Sequence, residues 1–84
     1  MIKANEARAM VEAKREEERT ALRAKAERIC NAWEKDIVAS AKQGINKQVI
    51  NGISEEAVKE VMNIFKENGY TVSQTGEYSI RVEW

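Results

Sequence analysis

Five side chains in this sequence have the right chemistry to hold an anionic ligand that carries a base: Asn5, Arg8, Tyr78, Arg81 and Trp84. Guanidinium groups offer paired donors to phosphate oxygens, and aromatic rings offer flat apolar faces for stacking. Two of the five lie near one end of the chain and three near the other. A ligand that used them all would therefore sit where copies of the chain meet. A structural role competes with this one. Tyr78, Ile80, Val82 and Trp84 alternate with Ser79, Arg81 and Glu83, a pattern that also puts Tyr78 and Trp84 on the inward face of a strand and leaves Arg81 on the freer face.

The residues that usually carry catalysis are sparse. Histidine is absent, which removes the commonest general base and metal ligand. Asp36 is the single aspartate, and Glu16, Glu17 and Glu18 stand in the most charged stretch, where nothing would raise a carboxyl pKa. The glycines are isolated and none precedes a Lys-Ser or Lys-Thr pair, so no phosphate loop is present. Cys30 is the one cysteine; with Lys25 and Arg28 near it a reactive thiol is conceivable, but beside an apolar stripe it reads as a small core hydrophobe. The expectation is a binding protein, not an enzyme, with no cofactor and no metal.

All four glycines fall in the second half and proline is absent, so residues 1 to 43 contain no helix breaker. They are rich in Ala, Glu, Lys and Arg, the residues that lose least on entering a helix. The reading is one helix over residues 4–43, about 60 Å long. A compact chain of this length has a radius of gyration of about 12 Å, so half of that helix must overhang its domain. Leu22, Ala26, Ile29, Trp33 and Ile37, flanked by Cys30, Val38 and Ala41, form the stripe that docks on a core. Residues 12–21 carry a run of charges in which Glu12 with Arg15 and Glu16 with Arg19 can pair along one face. Beyond that run, Ala4, Ala7, Met10 and Val11 make an apolar tip that another chain is expected to cover, which predicts a homo-oligomer.

Residues 44–84 read as a β-α-β-β unit, which makes the whole chain a single α+β domain. Residues 45–50 form a weak strand candidate. Ser54 suits an N-cap, with Glu55 and Glu56 in the first turn, and a helix over residues 55–68 presents Ala57, Val58, Val61, Met62, Ile64 and Phe65. Gly69 and Tyr70 then fit a Schellman stop, with Tyr70 touching Phe65. Tyr70 and Val72 start a hairpin that turns at Thr75 and Gly76, and it should pack on the short helix and on the Ile29 to Ile37 part of the long one.

The chain balances 14 basic against 14 acidic residues. Residues 1–43 carry ten basic and eight acidic side chains and residues 44–84 four and six, so the part that resembles a winged helix is the acidic one. Nucleic acid is thus a poor partner. No apolar stretch suits a signal peptide or a membrane span, and a single cysteine fits a reducing compartment, so a cytosolic setting is expected.

The opening Ala4-Asn5-Glu6-Ala7-Arg8, the charged helix after it, Ile53-Ser54-Glu55-Glu56, the corner Asn68-Gly69-Tyr70-Thr71-Val72 and the strand closing on Trp84 together resemble small phage- and prophage-encoded accessory proteins. The likeness covers most of the chain. It implies a host-cytoplasmic role in host takeover or counter-defence, either by sequestering a nucleotide second messenger at subunit interfaces or by inhibiting a host protein.

Overall fold

The long breaker-free run forms one unbroken helix, α1 (Ala4–Lys42), in a computed structural model that describes residues 1–84. It is followed by β1 (Lys47–Ile50), α2 (Glu55–Glu67), β2 (Thr71–Gly76) and β3 (Ser79–Glu83), an α+β fold in the expected order. β3 is central, antiparallel to β1 on one side and to β2 on the other.

Both helices end the same way. Gly44 has φ +80°, its N–H bonds the Ala41 carbonyl at 3.0 Å, and the Ile45 N–H reaches back to Ser40 O at 3.0 Å. Gly69 has φ +89°, its N–H bonds Lys66 O at 3.0 Å, and the Tyr70 N–H bonds Phe65 O at 3.1 Å. These are paired Schellman bonds, made where glycine alone enters the left-handed region without steric cost. The second stop carries the expected ring contact, since Phe65 and Tyr70 meet edge to face at 5.4 Å.

The core is confined to one end of the rod. Every buried residue lies between Ala26 and Val82, and residues 1–21 are exposed throughout. Ile50, Ile53, Val58, Val61, Phe65, Ile80 and Val82 are its main apolar bulk. The molecule measures 64 × 20 × 18 Å with a radius of gyration of 16.9 Å, well above the roughly 12 Å of a compact chain of this length. The overhang is the cause: at about 1.5 Å per residue, residues 4–21 alone extend about 27 Å.

The helices are tied by ions as well as by packing. Arg23 donates to Glu60 at 2.7 Å and to Glu67 at 2.8 Å across the two helices, and to Glu27 at 3.3 Å along its own. Lys25 adds a bond to Glu56 at 2.8 Å.

Several local expectations are corrected. The hairpin does not turn at Thr75 and Gly76. Gly76 pairs with Ser79, Thr75 is the extra residue of a bulge, and the turn falls on Glu77 and Tyr78. A hydroxyl contact between Thr75 and Ser79 at 2.8 Å and a bond from Gln74 Nε2 to Gly76 O at 2.9 Å hold the bulge. The first strand starts at Lys47, two residues later than expected, because the Ile45 N–H is already engaged in the α1 stop. Ser54 occupies the N-cap position but its hydroxyl makes no cap bond; the Ala57 N–H goes to its backbone carbonyl instead.

On α1, Ala26, Cys30 and Ile37 are buried, whereas Leu22, Ile29 and Trp33 are only half-buried and Val38 is exposed. Ala26 and Ala57 are both fully buried, small side chains that let the helices approach closely. The hairpin packs on α2, and α1 reaches the sheet at β1. In the charged run Glu16 and Arg19 pair at 2.8 Å, while the second pair is Lys14 with Glu17 at 4.0 Å and not Glu12 with Arg15.

Candidate functional site

The five candidate ligand residues occupy four separate places within one chain. Asn5 and Arg8 sit in the first turns of α1. Asn5 turns its side-chain oxygen to the Glu6 N–H at 3.0 Å, and Arg8 enters no ion pair. Arg8 lies about 21 Å along the helix from Leu22, the first side chain packed against the core. At the far end of the molecule, Tyr78 is at the hairpin turn and Trp84 follows β3, about 20 Å apart along an extended strand. Arg81 projects from the outer face of the sheet, between Val49 and Ser73 on the neighbouring strands, and its guanidinium forms an ion pair with Glu83 at 3.1 Å.

Tyr78 lies in the turn and not in β3. The strand alternation that turns Ile80 and Val82 inward does not extend to it, and the residue is 52% exposed. Its backbone is nevertheless fixed, since the Ile53 N–H donates to the Tyr78 carbonyl at 3.0 Å and ties the turn to the residue before α2. Trp84 is 37% exposed and its ring meets Tyr70 edge to face at 6.1 Å. Trp84 N–H donates to Asn46 O at 2.9 Å, extending the β1 and β3 pairing by one bond.

Sequence reasoning missed a groove along the junction of the two helices. One part, about 250 Å³, runs from Cys30 to Phe65 and Tyr70; its continuation, about 360 Å³, is lined by Val38, Ala41, Tyr70 and Trp84. Tyr70 is the hinge between the parts, contacted by Phe65 on one side and Trp84 on the other. The only signal for it in the sequence is the Schellman stop that brings Phe65 and Tyr70 together; the third ring comes from the far end of the sheet.

Cys30 lies against this groove but is 8% exposed, and its thiol points at the Val61 carbonyl, 3.9 Å away. Burial pushes its pKa up to about 11, so it is a protonated thiol near neutral pH and packs as a small hydrophobe. No group of three or more Cys, Asp or Glu side chains is placed to hold a metal ion. No helix is long and apolar enough to cross a membrane.

The tip residues Ala4, Ala7, Met10 and Val11 are all exposed, Met10 at 64% and Val11 at 50%. Between them and the core lies only the charged run. Comparison with protein-family models, curated proteins and solved structures finds no match to this chain.

Proposed function

We propose that this chain is a non-enzymatic binding protein that works as a homo-oligomer joined through α1, and that its cargo is a small nucleotide-derived anion held where subunits meet. The assembly part of this reading rests on one observation: eighteen helical residues, 4–21, have no tertiary partner in their own chain, yet carry Met10 and Val11 in the open. An isolated helix of that length is marginal in water, and its apolar tip gains from being covered. The cargo part rests on the chemistry of Arg8, which has no carboxylate partner within its own chain and whose five N–H donors can serve a carboxylate and a phosphate together, and of Tyr78 and Trp84, which are partly exposed. These groups lie too far apart to share a ligand within one chain, so the site requires a neighbour. A counter-defence role, in which such an anion is an immune signal, follows from the likeness to phage accessory proteins.

Two measurements test the reading. Met10→Lys with Val11→Lys should reduce the mass in solution to one chain while circular dichroism of the C-terminal half is kept. A panel of cyclic and linear nucleotides should contain one that raises the melting temperature, by the equivalent of about 2.7 kcal/mol at a hundredfold excess over its dissociation constant. If no nucleotide shifts the transition and a host protein is instead retained in equal stoichiometry, the cargo is a protein and direct inhibition replaces sequestration.

A further inference from the structure

The overhang carries its own instruction for how two copies pair. Ala4, Arg8, Val11, Arg15, Glu18 and Leu22 follow one another at steps of four, three, four, three and four, which is the spacing of a coiled-coil seam. The seam does not stop at the edge of the domain. Leu22, half-buried against the core, is its last member, so the exposed stripe runs directly into the face of α1 that packs on α2.

Seams pair in two directions, and the charges distinguish them. In a parallel, in-register pair each seam residue meets its own copy. Arg8 would face Arg8, Arg15 would face Arg15 and Glu18 would face Glu18, three like-charge layers near an apolar axis. In an antiparallel pair whose two-fold axis passes beside residue 13, Ala4 meets Leu22 of the partner subunit, Arg8 meets Glu18 of the partner subunit, and Val11 lies along the stem of Arg15 of the partner subunit. Symmetry repeats each layer. Every seam charge but Arg15 then has an opposite charge across the axis, and the Arg15 stem can cover Val11 while its guanidinium reaches solvent.

The lengths also agree. The paired segment ends at Ala4 on one helix and Leu22 on the other, so the start of one helix arrives where the partner's own domain begins. There Arg23 is already committed to Glu60 and Glu67 of its own chain. An antiparallel pair in this register spans the overhang from Ala4 to Leu22.

We infer that the chain forms an antiparallel two-fold dimer through residues 4–22 of α1, in the register that sets Arg8 against Glu18 of the partner subunit. This rests on the assembly reading above and specifies its direction. It places the two domains at opposite ends of a continuous rod, and it brings Asn5 and Arg8 of one copy beside the other copy's domain. Met10, off the seam by one position, lies at its margin, so Val11 supplies most of the apolar contact at the tip.

Charge reversal read by sedimentation equilibrium tests the inference on the full chain. The wild type should sediment at twice the 9.6 kDa chain mass. Arg8→Glu alone and Glu18→Arg alone should each weaken the dimer by about tenfold, since each reverses two symmetric pairs. The double variant should recover wild-type affinity. Val11→Lys should dissociate the dimer and Met10→Lys should not. Neither charge position touches the core, so folding, followed by circular dichroism, is unaffected in every variant. If the single variants are silent, or the double variant is no better than they are, while the wild type still assembles, the antiparallel register is wrong and the assembly reading survives. A wild type that stays a single chain at all concentrations overturns both.

Discussion

Arg23 and Glu67 lie forty-four positions apart and meet at 2.8 Å, with Glu60 and Glu27 closing on the same guanidinium. This is the main polar link between the overhanging helix and the domain that holds it. It is planar, multiply hydrogen-bonded and partly exposed, a geometry that suits arginine and not lysine.

Replacing Arg23 should therefore lower stability, with Arg23→Lys intermediate between the wild type and Arg23→Met. The deficit should shrink as salt is raised, because the group is solvent-exposed and screened. Urea titrations at low and high ionic strength measure it. A deficit independent of salt would mean that the aliphatic stem, and not the charge, holds the helices together.

Acid should loosen the same contacts. Hydrogen bonds from Arg23 to Glu67 and from Lys25 to Glu56 hold both carboxyls below their ordinary value of 4.5. A carboxylate whose folded pKa is depressed adds stability above its unfolded pKa and loses it as the pH falls through the folded value. Stability should be level near neutrality and decline below about pH 4.5, with a smaller decline in Glu56→Gln combined with Glu67→Gln. Thermal melts across pH 3 to 6 follow this.

Cys30 gives the opposite sign at the alkaline end. Burial raises its pKa from 9.0 to about 11, so the folded state keeps a proton that the unfolded state releases. Its contribution is full below pH 9 and is lost as the pH rises toward 11. Cys30→Ala should remove that part of the alkaline decline. In the wild type a thiol reagent should react at the rate of unfolding; prompt labelling of the native protein would contradict the burial.

Ile80 and Val11 are both aliphatic, and the fold gives them opposite weights. Ile80 is fully buried on the central strand, so Ile80→Ala should cost about 2 to 5 kcal/mol. Domains of this size have only about 4 to 13 kcal/mol in total, so this one change removes a large share of the margin. Val11 is 50% exposed, and Val11→Ala should leave monomer stability within about 0.5 kcal/mol while weakening association. Chemical denaturation and sedimentation of the same pair of variants separate the two effects.

The sequence by itself determined what short-range chemistry controls. A run without glycine or proline had to be one helix; Gly44 and Gly69 had to end helices; a rod that long had to outreach a domain this small. The position of the charged run and the apolar tip followed from the same reading. The docking side of α1 was legible as well, since Ala26, Cys30 and Ile37 are buried and Leu22, Ile29 and Trp33 pack against the core; the tertiary structure decided how deeply each one sits. It alone joined Arg23 to Glu60 and Glu67, since a salt bridge across two helices leaves no local pattern. The exposure of Tyr78 was also hidden from the sequence. The turn falls on Glu77 and Tyr78, so Tyr78 lies outside the strand, and the alternation of Tyr78, Ile80 and Val82 carries no mark of where that strand begins.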